Sequence, residues 1–363
     1  MELAIVGLPR SGKTTVFNSV TRGAAKVASF AAQRQPTSGV ARVADARLGV
    51  LADIIKPRAI TPAEVTYVDI PAAPEGPGQT RGIYGEYLNQ LQRADALIVV
   101  ARAFDNPTVP DGGDGVDAHR DLEAMLYELT FADLEILDRR LERLATSSKG
   151  AKAPERATLD RERELISRLK AGLDDGTAVR DQTFDADDAL RVEGFHFLTS
   201  KPLALIVNAG EEHLGDMDAL EAATTSGFDG IRTAAICAQL EMELAQMEPD
   251  EEREFRESLD AGESAPDRVI RLSYQLLDQI TFFTGNTKEV RAWSIDRGAT
   301  ALHAAGRIHS DLERGFIRAE VVAYEDLVRV GSLDEAERQG VFRQEGKSYT
   351  VADGDYIGIL FNV

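Results

Sequence analysis

The chain has 363 residues, 43% of them hydrophobic and 28% charged, long enough for more than one domain and a sizeable core. Acidic residues number 61 against 41 basic ones, a formal net charge of -20, which excludes broad electrostatic attraction to nucleic acid or anionic lipid and leaves only local basic patches for such contacts. The single cysteine, Cys237, excludes an intramolecular disulfide, and no apolar run is long enough to span a bilayer or to act as a leader after Met1, so the sequence reads as a cytoplasmic protein.

The first predicted element is the strand ELAIV (2–6), and the loop after it fits G-x-x-x-x-G-K-[ST] from Gly7 to Thr14. Glycines let backbone N–H groups curl around an anion, and the helix predicted to follow, TTVFNSVTRG, adds the partial positive charge of its N-terminus. In this pattern Lys13 reaches the β- and γ-phosphates of a nucleotide and the Thr14 hydroxyl ligates Mg²⁺. The strand VTYVD (65–69) ends in Asp69, which either holds that magnesium through water or serves as a turn former. ALIVVARAF (96–104), LALIVNAG (203–210) and IRTAAICA (231–238) continue a series of buried strands alternating with helices, which predicts a mostly parallel sheet covered on both faces.

Residues 121–199 interrupt that series. Leu134, Leu137, Leu141 and Leu144 step by a coiled-coil-like interval, SSKGAKAPE makes a turn, and RATLDRERELISRLKAGL returns as a second charged helix. The reading is an inserted helical hairpin, with two ordinary surface helices as the alternative. After the helix predicted in SAPDRVIRLSYQLLDQI, the pieces EVRAWSI, FIRAEVVAY and KSYTVADGDYIGILFNV predict a small β-rich domain from about residue 281. Phe282, Phe283, Trp293 and Phe316 there form either its core or, in part, an RNA-stacking face. Cys237 reads as a small buried hydrophobe or a redox-sensitive thiol, and the five histidines show no zinc-ligand spacing.

The base is read from Asn208-Ala209-Gly210-Glu211. A guanine site places Asn-Lys-x-Asp here, because an Asp carboxylate accepts from guanine N1–H and the N2 amino group. Ala209 and Glu211 replace that Lys and Asp, so the guanine reader is lost and ATP becomes the expected ligand.

These residues together resemble the YchF/Obg-like ATPase family over nearly the whole chain. The similarity is carried by GLPxxGKTTxFN, ARLGVLADIIKP followed by VTYVDI, ELTFADLEILDRRLERL, ICAQLEMELAQM and the C-terminal block from TFFTGNTKEV to the end. The resemblance implies an α/β P-loop NTPase core (1–120 and 200–280), an inserted α-helical coiled-coil arm (121–199) and a C-terminal β-grasp TGS domain (281–363). It implies ATP and Mg²⁺ as cofactors and slow hydrolysis to ADP. The chain would be a monomeric, ribosome-associated switch, touching ribosomal RNA or protein through the arm and TGS domain. Carried over position by position, Pro9, Arg10, Ser11, Gly12, Lys13, Thr14, Thr15, Asn208, Ala209, Glu211, Ala238 and Gln239 would hold the nucleotide. Thr14, Asp69 and Thr37 would serve the metal, and Lys13 and Arg10 catalysis.

The sequence departs from the family at both switches. Gln33 stands where the family has a first-switch Thr, with Thr37 as a displaced substitute, and Asp69-Ile70-Pro71-Ala72 replaces Asp-x-Ala-Gly. The water-orienting position falls on the apolar Ala73. Arg10 replaces the family Asn, and is read either as a guanidinium finger supplied in cis or as a partner of the acidic surface. Two functions therefore stand open, a hydrolysing switch and a nucleotide-sensing protein with decayed switches; a GTPase fits the base motif less well.

Overall fold

The computed structural model describes residues 1–23, 36–71, 83, 85–106, 115–150, 152–259 and 263–362. From the N-terminus, β1 (Glu2–Val6) leads into α1 (Lys13–Thr21), followed by β2 (Thr37–Arg42), α2 (Ala46–Ile55), β3 (Ala59–Thr61) and β4 (Glu64–Asp69). Next come α3 (Glu86–Arg93), β5 (Ala96–Ala103), the long helices α4 (Ala118–Ser147) and α5 (Ala153–Asp174), α6 (Ala186–Glu193) and β6 (Leu203–Ala209). Then follow α7 (Met217–Thr224), β7 (Arg232–Ile236), α8 (Ala238–Leu244), α9 (Pro249–Ser258) and α10 (Ala265–Leu276). The last section comprises β8 (Gln279–Gly285), β9 (Glu289–Asp296), α11 (Ala301–Ile308), α12 (Ser310–Arg314), β10 (Phe316–Val322), α13 (Tyr324–Val330), α14 (Leu333–Arg338), β11 (Arg343–Glu345) and β12 (Tyr356–Phe361). The chain divides into two compact units, Met1–Gly39 with Tyr67–Ala265, and Val40–Thr66 with Pro266–Val363.

In the first unit the sheet order is β2-β4-β1-β5-β6-β7, and β1, β5, β6 and β7 run parallel. Every residue of β5 and β6 is buried, as expected of central strands covered on both faces. Parallel strands send their C-terminal ends to one edge, so the loops after β1, β5, β6 and β7 gather there; this is where open α/β sheets bind ligands.

Helix α4 changes partners along its length. Its first half buries Leu122, Met125, Leu129 and Ala132 in the sheet's core, and its second half packs Leu137 and Leu144 against Leu165, Ile166 and Leu169 of α5. At the changeover sits Asp133, fully buried, accepting hydrogen bonds from the Leu198 and Thr199 backbone N–H groups (2.8 Å each) and the Thr199 hydroxyl (2.7 Å). Burial pushes its carboxyl up to about 6 against the pull of those donors. The segment 121–199, expected as an inserted hairpin, is thus rooted in the first unit, sharing a helix with its core and clustering with it.

The second unit is a β-grasp sheet in the order β11-β10-β12-β8-β9-β3. β8 and β9 are antiparallel, β12 runs parallel to β8, and β10 lies antiparallel to β12 and β11. Phe282, Phe283 and Phe316 are core residues, while Trp293 is partly buried and stacks on Phe282. The segment 40–66 was expected in the N-terminal domain, yet it clusters here. The reason is packing: Leu48 and Leu51 of α2 join a core with Phe283, Val290 and Tyr356, and β3 adds a parallel strand to β9. Arg47 reinforces this with ion pairs to Asp45 (2.8 Å) and Asp353 (2.9 Å). No helix among the described residues is long and apolar enough to cross a membrane.

Candidate functional site

The loop between β1 and α1 is shaped by close approach. A Cβ on Gly7 would stand 2.5 Å from the Val100 carbonyl oxygen. One on Gly12 would stand 2.2 Å from the Asn208 amide nitrogen, at a φ of +84°. Only glycine fits both positions. Gly12 is also the N-cap of α1 and has no side chain to satisfy the helix's first N–H groups, which stay available to an anion. Arg10, exposed in the same loop, holds a φ of 67°, a left-handed conformation that is uncommon outside glycine. Pro9 is exposed beside it, Ser11 is buried, and Thr15 lies in the first turn of α1.

Lys13 is buried, and its ammonium donates to the carbonyls of Gly7 and Leu8, both at 2.9 Å. Burial pushes it down to about 8, with Asp69 pulling the other way. The Thr14 hydroxyl donates to Asp69 Oδ2 at 2.7 Å, so the loop and the end of β4 are brought together as the motif predicts. Burial raises the Asp69 carboxyl, offset in part by Thr14 and Lys13. Two buried polar atoms here, Ser11 Oγ and Asp69 Oδ1, have no hydrogen-bond partner among the described residues. An unpaired carboxylate oxygen beside a threonine hydroxyl suits a magnesium ion, and a cradle of uncapped N–H groups with a buried ammonium suits phosphates, so the residues present fit both. Thr37 opens β2, the strand beside β4; Gln33, Ala72 and Ala73 lie outside the described residues.

At the other end of the loop, Asn208 is buried. Its amide donates to the Ser11 carbonyl at 3.1 Å and accepts from the Ala238 N–H at 3.4 Å. One side chain therefore joins the phosphate loop to the turn before α8. Ala209 is buried at the end of β6, and Glu211 begins an exposed turn at Glu211–His213. The Gln239 amide is engaged along α8, donating to Glu243 at 2.7 Å. Cys237 is buried, which raises its thiol pKa. Behind it Glu241 takes both arms of Arg256 at 2.7 and 2.8 Å, tying α9 to α8.

Sequence reasoning missed Phe104 and Arg102. The Phe104 ring edge would lie 3.5 Å from a Cβ on Gly12, and the Arg102 guanidinium sits 4.7 Å over that ring while donating to the Phe104 carbonyl at 3.1 Å. The available signal was an aromatic residue directly after a wholly buried strand of a parallel sheet.

Comparison with known proteins bears on the same regions. Residues 2–135 match a family profile described as 50S ribosome-binding GTPase (MMR_HSR1), and residues 279–362 match YchF-GTPase_C, described as a protein of unknown function (DUF933). The chain is 36% identical over 364 residues to the ribosome-binding ATPase YchF of Bacillus subtilis (strain 168), covering 99% of this chain and 98% of that protein. It is 34% identical over 361 residues to the protein of that name from Pasteurella multocida (strain Pm70), with 99% and 98% covered. Among solved structures, the Schizosaccharomyces pombe YchF GTPase superposes with a TM-score of 0.84 at 27% identity, covering 99% of this chain and 97% of that one.

Proposed function

We infer the function from one premise, that this chain belongs to the YchF family, matched across its full length. We propose that it binds ATP with Mg²⁺ and hydrolyses it to ADP as a slow, ribosome-associated conformational switch. The observation that carries this reading is the cluster of Lys13, Thr14 and Asp69 under a loop locked by Asn208, with Ser11 Oγ and Asp69 Oδ1 left unpaired. Ribosome binding comes from the names of the curated relatives.

In this reading the N–H groups of Ser11 to Thr15 hold phosphate oxygens, and Lys13 exchanges its two carbonyl partners for the β- and γ-phosphates. Thr14 and Asp69 would hold the metal, with Thr37 as the candidate first-switch ligand. Mg²⁺, when bound, neutralises charge that develops on the transferred phosphoryl group. Arg10 is the candidate guanidinium finger, and Ala209, Glu211, Ala238 and Gln239 surround the base. The relatives' names divide between ATPase and GTPase, and Glu211 supports adenine here, since a Glu in place of the guanine-reading Asp sets the carboxylate one methylene further out.

A second reading, binding without turnover, draws support from Pro71, which has no N–H to offer a γ-phosphate at the second switch. Calorimetry with ATP, GTP and ADP in magnesium, combined with phosphate release with and without ribosomes, separates these readings. The expected result is ATP held about tenfold or more tighter than GTP, with release accelerated by ribosomes. Tighter capture of GTP would overturn the assignment of the base. Tight ATP binding with no release in either condition would favour the second reading.

A further inference from the structure

Although the chain carries a net charge of -20, four arginines converge on one cleft of the first unit, about 630 Å³ in volume. Arg139, Arg140 and Arg143 come from one face of α4, and Arg191 comes across from α6. Among the described residues the one acid that lines the cleft is Glu162, paired with Arg140 at 2.6 Å. Arg139 reaches Glu135 at 3.6 Å on the exposed face of the helix. Arg143 and Arg191 are exposed and make no hydrogen bond or ion pair with the described residues. Arg140 and Arg139 are thus matched by acids, while Arg143 and Arg191 are not, and these two unmatched guanidinia beside a cationic pair favour an anionic occupant.

The rest of the lining narrows the chemistry. Phe195 borders the cleft, its ring stacked on Phe197 with centroids 5.1 Å apart and planes 11° from parallel. A guanidinium fork matches phosphate in two directions, and an aromatic ring beside it matches a base. An acidic protein segment would use the arginines but leave the ring without a counterpart. The volume suits an inserted nucleotide unit better than a flat docking face.

We propose that this cleft binds single-stranded RNA, with the arginines on successive phosphates and Phe195 against a base. The proposal rests on the ribosome-associated reading above and supplies a specific contact for it. The cleft also has a wall from α3, through Leu88 and Gln92. That helix follows the second switch in the chain. It is bound to the root of the arm, since Lys201 donates to the Gln92 and Ala94 carbonyls (2.9 and 2.6 Å) and Gln92 donates to the Phe195 carbonyl (3.2 Å).

The test is fluorescence anisotropy of the full chain with a labelled uridine 12-mer at several salt concentrations, with calorimetric ATP affinity as the control for folding. The double variant Arg143→Glu with Arg191→Glu should weaken RNA binding about tenfold or more at low salt. It should also reduce the log–log salt slope by about 1.4, since a single strand releases about 0.7 counterion per phosphate contact. ATP affinity should not change. Arg143→Lys with Arg191→Lys should keep the salt slope, and Phe195→Leu should lower affinity about fivefold without changing it. RNA binding equal to wild type in the Glu variant, or a polyglutamate peptide bound in preference to RNA, would overturn the proposal. So would uridine 3′,5′-bisphosphate displacing the 12-mer at equal concentration, because the site would then serve a free nucleotide. Ribosome sedimentation keeps the two readings apart: wild-type protein that binds the 12-mer but ignores ribosomes contradicts the ribosome reading alone, and a Glu variant that loses the 12-mer yet sediments like wild type overturns the cleft as the ribosome contact.

Discussion

In the phosphate loop the groups facing an anion are backbone N–H donors and one ammonium that burial has pushed down to about 8; in the cleft of the arm they are guanidinia, two of them exposed and unpaired among the described residues. The first arrangement depends on shape. Its donors are fixed to the chain, a Cβ at Gly7 or Gly12 would collide with its neighbours, and Asn208 clamps the loop from the end of β6. The second depends on charge. Its side chains keep their rotamers and their hydration until an anion arrives, and salt screens them. A small, desolvated cradle can tell one phosphate geometry from another, whereas an open set of arginines accepts a strand along much of its length.

This contrast can be attacked at the root of the arm, where the largest effect on stability is expected. Asp133→Ala leaves two backbone N–H groups, on Leu198 and Thr199, buried without an acceptor. Its expected cost is about 3–4 kcal/mol of unfolding free energy, read by urea denaturation. If the two sites are built independently, the variant should lose more RNA affinity than ATP affinity at temperatures where it stays folded.

A smaller effect should confirm that the loop works by shape. Gly12→Ala places a methyl against the Asn208 amide at an unfavourable φ and should weaken ATP about a hundredfold by calorimetry, leaving binding of the 12-mer intact. Weakening of both ligands to the same degree would mean the two sites are not separable.

The mildest test uses pH. Burial pushes Lys13 down to about 8, and a bound triphosphate should raise that value because its negative charge favours the ammonium. ATP binding therefore takes up a proton above pH 8. Affinity should fall as pH rises past 8, approaching about tenfold per pH unit, and Lys13→Met should remove that limb. RNA binding in the cleft does not involve Lys13, so Lys13→Met should leave its pH profile unchanged.

Much of the nucleotide site was legible in the sequence because it is local. Gly7 to Thr14 are consecutive, and a strand before them and a helix after them are enough to form the cradle. Asp69 and Asn208 were found by their places at the ends of buried strands. Their partners were not, since the bond from Asn208 to Ser11 spans 197 residues. The division of the chain was misread at 40–66 for a related reason. α2 and β3 look like part of the first α/β section, and what commits them to the β-grasp sheet is a set of apolar neighbours more than 200 residues further on.

By itself the sequence determined the main buried strands and long helices, that a glycine-rich loop joins β1 to α1, and that the guanine-reading pair is absent, because each follows from residues adjacent in the chain or from the periodicity of one element. Tertiary structure alone decided that Asn208 locks the loop, that Asp133 anchors the arm, and that arginines at 139–143 and 191 share one cleft with Phe195. Those outcomes depend on how helices pack and where strands cross over, and side-chain packing between distant segments leaves no pattern in any short stretch of sequence.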